Sequence, residues 1–175
     1  MLDFYEVIRT RRSVRAFKKD SISEEVLNRV LEAVRVAPSG SNRQPWKFIL
    51  VKDRTLKQKM VPVCNNQKFM DEAPLIIVAC GKKLPINRGG YMGEMSILLD
   101  VAIAFTQLIL AARAEGLGTC WIGAFNNDEL KKLLEVPDGY EVVAATPLGY
   151  PSDPSVFAGP KSRKTMNEIV SVNKF

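Results

Sequence analysis

The chain has 175 residues, enough for one domain with a sizeable core, and its 46% apolar and 25% charged content is that of an ordinary globular protein. A formal net charge of +6 and a pI near 9.3 favour an anionic partner, but the basic residues are spread out with no aromatic-basic repeat, so a small anionic ligand fits better than nucleic acid. Histidine is absent, which excludes Ser-His-Asp and Cys-His catalysis and His-ligated metals.

Asp3 to Arg9 reads as a short helix, with Asp3 as its N-cap and Phe4, Val7 and Ile8 on one face. Arg11-Arg12-Ser13-Val14-Arg15 follows, with three guanidinium groups, a hydroxyl among them and no acid inside the run. Guanidinium forks suit phosphate oxygens, so this run is a candidate phosphate cradle; a solvated basic surface is the alternative. Ser21 to Glu25 starts a second helix, with Ser23 as cap and acids in the first turn. Val26, Val30, Leu31 and Val34 recur at helical spacing up to Ala37, and Pro38 stops the helix.

Pro38 to Trp46, PSGSNRQPW, is a loop rich in groups able to bond a ligand, or else a plain polar turn. Lys47 to Val51 reads as a buried strand, Leu56 to Met60 as helix, and Asn65 to Asp71 as helix or turn. Leu75 to Cys80 is short and apolar throughout, which predicts a core strand. Gly81 to Tyr91 is loop. Met92 to Glu115 is the longest helix and is apolar nearly all round; it belongs either in the core of one subunit or at a subunit interface.

Gly116-Leu117-Gly118 ends that helix. Thr119 to Phe125 is an apolar strand or loop, and Asn127 to Leu134 an amphipathic helix stopped by Pro137. Tyr140 to Tyr150 is a strand running into a Pro-Gly turn. Residues 159–164 are basic again, and Met166 to Val170 forms a final short strand or turn. With no repeat or linker, residues 1–175 read as a single domain. Cys64, Cys80 and Cys120 have neither zinc nor CxxC spacing and read as reduced thiols in a cytoplasmic protein. The N-terminus does not read as a signal peptide, and no uncharged apolar run of about 18 residues predicts a membrane span.

RRSVR, PSGSNRQPW, GLGTCWIGAF, PLGYP and a late KSR occur in this order over essentially the whole chain. Each is weak alone; together they resemble the nitroreductase family of FMN-dependent oxidoreductases. The resemblance implies an α+β, nitroreductase-like fold: a central, mostly antiparallel β-sheet flanked by helices, with the long central helix at the interface of a homodimer. It implies FMN as cofactor. Arg11, Lys161 and Arg163 match the family's phosphate-binding positions, with Ser13 as a hydroxyl donor; Arg12 matches a variable position. Arg15 and Lys68, with Asn65 on the same edge, match the groups that stabilise negative charge near flavin N1 and O2. Ile122-Gly123-Ala124 matches the backbone that meets N5, where glycine permits close approach.

Pro38, Ser39, Gly40, Asn42 and Gln44 resemble the loop donated by the partner subunit, so that two chains make each site. Gly40 stands where the family often carries a second serine, which leaves its contact open. The implied chemistry is hydride transfer from NAD(P)H through N5 to a nitroaromatic or quinone acceptor by a ping-pong mechanism. No side-chain acid or base is required, in keeping with the missing histidine. The alternatives are a non-catalytic FMN carrier or sensor, and a same-fold enzyme of flavin destruction or reductive dehalogenation. The latter usually carry longer lids than the short Lys82-to-Tyr91 segment, which predicts a small lid and an open pocket. Trp46 and Trp121 are expected in core packing, and Cys120 buried and inert.

Overall fold

The computed structural model describes residues 2–83, 90–158 and 162–175, and of residues 90–94 the backbone. Helix α1, Phe4–Thr10, begins where Asp3 Oδ1 accepts from the N–H groups of Tyr5 and Glu6 at 2.9 and 3.0 Å. Only Val7 of its predicted apolar face is buried; Phe4, Tyr5 and Ile8 are exposed. Helix α2, Glu24–Arg35, is capped by Ser23 as expected. Strand β1, Trp46–Val51, leads to α3, Arg54–Val63, which is longer than its apolar spacing suggested. Asp53 starts α3 early by accepting from Leu56 N–H at 2.7 Å, and the helix runs through Pro62 to Val63, where Cys64 N–H closes it on Met60 O at 2.8 Å.

Strand β2, Leu75–Lys82, is followed by α4, Gly90–Ala114, then by β3, Gly118–Thr119, α5, Asn127–Leu133, and β4, Tyr140–Gly149. Short 3-10 turns lie at Gly40–Asn42, Lys68–Met70, Pro154–Phe157 and Met166–Glu168, so the last predicted strand or turn is a turn. The strands form one antiparallel sheet of order β1-β2-β4-β3.

Successive residues of β2 face opposite layers. Leu75, Ile77 and Ala79 pack with Phe105 and Leu108 under α2 and α4; Ile76, Val78 and Cys80 pack with Met60, Met70 and Leu130 under α3 and α5. Both faces are covered, which is why the strand is apolar throughout. In α4, Val101, Ala104, Phe105, Leu108 and Ala112 are fully buried, whereas Leu98, Leu99 and Ile103 stay 40–44% exposed. By length and composition Met95–Ala114 is apolar enough to cross a bilayer. It contains the charged Asp100 and Arg113, however, and its buried side packs on the sheet and α2 as a core helix does.

Gly116 closes α4 with φ +76°. Gly118 serves close approach instead: a Cβ there would lie 2.7–2.9 Å from the Val14 side chain. That approach lets Val14 N–H donate to Thr119 O at 2.8 Å and docks the arginine run beside β3. Cys64, Cys80 and Cys120 are free and buried.

Candidate active site

The segment after α1 lies extended beside β3, so its side chains alternate. Val14 points into the core, while Ser13 and Arg15 are exposed. Arg11, Arg12, Ser13 and Arg15 line one cavity of about 430 Å³, joined by Ser155, Val156, Ala158 and, from the tail, Arg163. No acid lines it. Arg12 Nη1 reaches Arg11 O only at 3.5 Å, and Arg12 Nη2 is buried with no hydrogen-bond partner among the described residues. Four guanidinium groups around an acid-free cavity, one with an orphaned buried donor, suit an anion with several acceptor oxygens. Lys161 lies outside the described residues, as do residues 84–89 of the predicted lid.

The Arg15 guanidinium lies 5.9 Å from the centroid of the Phe69 ring. This contact brings Arg15 to the turn that carries Lys68. Asn65 and Asn66 precede the turn, both with φ +56°, a conformation that asparagine tolerates better than most residues. Asn65 and Ala124 line a second cavity, of about 500 Å³, with Pro62, Val63, Phe125, Asn126 and Glu129. Ile122 differs from its two neighbours. Its N–H donates to Ala145 O at 2.8 Å, its carbonyl accepts from Ala145 N–H, and its side chain is buried. Among the described residues nothing accepts from the N–H of Gly123 or Ala124, so these two, and not Ile122, keep a donor for a ligand.

A third cavity, of about 240 Å³, joins Arg11, Ser13, Thr119 and Trp121 to Thr106, Ile109 and Leu110 of α4. Trp121 was expected in the core. Its ring instead meets Phe105 edge-on at 4.6 Å while 42% of the residue stays exposed. The strand period explains this, since Cys120 and Ile122 on either side take the buried positions. Burial pushes the Cys120 thiol above its ordinary range, although Arg15, Ser13 and Arg11 act the other way, and the residue is buried as expected. Trp46 is half-buried against the main core.

The Pro38–Gln44 loop lines none of these three cavities. It is bonded largely to itself: Ser39 Oγ accepts from Gln44 N–H at 2.8 Å, and Gln44 Nε2 donates to Asn42 O and Oδ1 at 2.8 and 3.0 Å. Gly40 N–H donates to Asp100 Oδ1 at 2.9 Å and is therefore occupied. The sequence reading had passed over Asp100, whose signal was a lone acid amid an apolar helical run. It also missed Ser155, Val156 and Thr106, which carried no pattern of their own.

The sequence profile of the Nitroreductase family matches residues 8–67 and 62–150. The chain belongs to the nitroreductase family. The provisionally named NADH dehydrogenase/NAD(P)H nitroreductase of Archaeoglobus fulgidus is 34% identical over 90% of each chain. The FMN reductase [NAD(P)H] of Bacillus subtilis is 31% identical over 86% of this chain and 68% of its own length. The iodotyrosine deiodinase of Thermotoga neapolitana is 29% identical over 95% of each. A crystal structure of a nitroreductase family protein from Clostridium novyi NT superposes with a TM-score of 0.76 at 38% identity, covering 87% of each chain. The α+β nitroreductase fold, with its antiparallel four-stranded sheet, is the one the sequence motifs implied.

Proposed function

We propose that this nitroreductase-family protein is an FMN-dependent oxidoreductase that passes hydride from NAD(P)H to a nitroaromatic or quinone-type acceptor. The observation that carries the reading is the acid-free guanidinium cavity with the orphaned Arg12 Nη2. Its donors suit the phosphate of FMN: Arg11, Arg12, Ser13 and Arg163 hold it, with Lys161 from the same tail. Arg15, beside the Phe69 ring, would serve the pyrimidine edge together with Lys68 and Asn65. The N–H groups of Gly123 and Ala124, which have no acceptor among the described residues, would be the donors offered to N5. When bound, FMN supplies a hydride acceptor and donor at that atom. The chain's part would be to orient the ring and to stabilise negative charge beside N1 with Arg15 and Lys68. No histidine acid or base takes part, because the chain has none.

The functional unit in this reading is a homodimer. Leu99, Ile103 and Thr106 form an exposed stripe on α4 that continues through Leu110 into the cavity beside Arg11. A second copy covering that stripe would close this cavity and bring its own Pro38–Gln44 loop to the flavin. The purified protein should be yellow, with about one FMN per subunit, and should bleach with NADH or NADPH in the absence of an acceptor. Double-reciprocal plots of NAD(P)H against a quinone should be parallel. Failure to take up added FMN would overturn the cofactor assignment. Bound FMN that no nicotinamide bleaches would make the protein a carrier, and intersecting lines would mean that donor and acceptor bind together.

A further inference from the structure

We propose that Asp100 is the positioning residue that holds the Pro38–Gln44 loop in the shape in which it meets the flavin; this rests on the FMN reading above. Between Met95 and Ala114, α4 carries two charged residues, Asp100 and Arg113. Arg113 is accounted for within the fold: its Nε donates to Thr10 Oγ1 at 3.0 Å and its guanidinium lies 4.0 Å from the centroid of the Phe157 ring. Asp100 is 5% exposed and forms no ion pair among the described residues. Burying a carboxylate in an apolar helix opposes folding, and packing alone would be served as well by leucine. What Asp100 does make is a charge-assisted bond, with Oδ1 accepting the Gly40 N–H at 2.9 Å.

The loop is one that has to be held. Ser41, Asn42 and Gln44 all adopt left-handed backbone, with φ of +54°, +53° and +50°. Such a cluster of non-glycine residues persists where the surroundings over-determine it. The Ser39–Gln44 and Gln44–Asn42 bonds close the loop on itself without fixing it to anything else. Among the described residues, the bond to Asp100 is the one hydrogen bond that leaves residues 39–44. Its anchor stands next to the exposed Leu99 and one turn before the exposed Ile103. Asp100 thus fixes the loop relative to the apolar stripe of α4, the surface across which it would reach a second subunit's flavin.

Three variants test this: Asp100→Leu removes the acceptor, Asp100→Asn keeps a neutral one, and Gly40→Pro removes the donor. Ser39 is already extended, at φ −144° and ψ 160°, and tolerates a following proline. FMN affinity is read by flavin fluorescence, loop order by tryptic cleavage after the exposed Arg43 without FMN, and stability by thermal melting. Asp100→Leu should bind FMN about 10- to 100-fold more weakly, the range expected for a charge-assisted bond. It should also be cut faster after Arg43 at temperatures well below the melting transition. Asp100→Asn should fall between the parent and Asp100→Leu, and the Asp100→Leu/Gly40→Pro double variant should be no weaker than either single. Parental FMN affinity in Asp100→Leu, or Asp100→Asn as weak as Asp100→Leu, would overturn the proposal, as would additive losses in the double variant. If Asp100→Leu does not fold, Gly40→Pro poses the same question from the donor's side with α4 intact. Should the parent bind no FMN at all, the FMN reading falls, while cleavage after Arg43 still decides whether Asp100 orders the loop.

Discussion

Arg11 and Ser13 line both the guanidinium cavity and the smaller cavity against α4, and of the two Arg11 carries the charge, so its loss should be felt more. Arg11→Ala should weaken FMN binding by about 1.5–3 kcal/mol, the worth of a charge-assisted hydrogen bond, and the loss should shrink as salt is raised. Fluorescence titration at two ionic strengths checks both. Cys64 offers a separate test, of burial. Its thiol is pushed up to about 11 from an ordinary 9.0 by desolvation alone. In the unfolded chain it ionises from the lower value, so the stability gained by keeping it neutral is complete below pH 9 and is lost as pH rises towards 11. Buried Lys57, whose ammonium titrates below its ordinary range, acts oppositely in the alkaline region, so the comparison must be between variant and parent. Cys64→Ala should lose less stability than the parent over that window in melts taken across pH.

Among the elements, the short strand β3 matters beyond its two residues, because the arginine run is docked on it. Gly118→Ala would drive a methyl group into the β-branched Val14, at a cost of about 1–3 kcal/mol. It should also weaken FMN binding, since Ser13 and Arg15 flank Val14. Adding Val14→Ala should recover part of the stability in urea unfolding, and an unaltered urea midpoint in Gly118→Ala alone would show that the contact yields freely. Legibility in the sequence followed the same divide between local and distant causes. Asp3 and Ser23 announced their helices because a cap acts within one turn, and β2 was plain because both its faces are apolar. The start of α3 was missed because Leu56 and Met60 mark only its buried side, while Asp53 precedes that pattern. Arg11, Ser13 and Arg163, which the family resemblance had singled out, line one cavity. That Ile122 spends its N–H on Ala145, and that Gly40 is tied to Asp100 sixty positions away, depends on pairings between distant segments that no local pattern encodes.

At the scale of the whole molecule, the exposed stripe on α4 is the surface that the proposed dimer would cover. Ile103→Glu should yield a monomer in light scattering and lose FMN with it, because the loop of the other copy would no longer reach the site; a dimer that survives the change would place the interface elsewhere. The strand order has a further consequence, for the chain as it is being made. β2 pairs with β1, which precedes it closely, but its other edge belongs to β4, which starts at Tyr140. At ribosomal rates of roughly 5–20 residues per second, the nearly 60 residues between β2 and β4 leave that edge open for several seconds. During that interval a strand apolar on both faces offers an unpaired row of backbone groups to any neighbouring nascent chain. Chains released before residue 140 should therefore aggregate instead of remaining partly folded, and chaperones that act on ribosome-bound chains should matter most for this protein while β4 has yet to emerge.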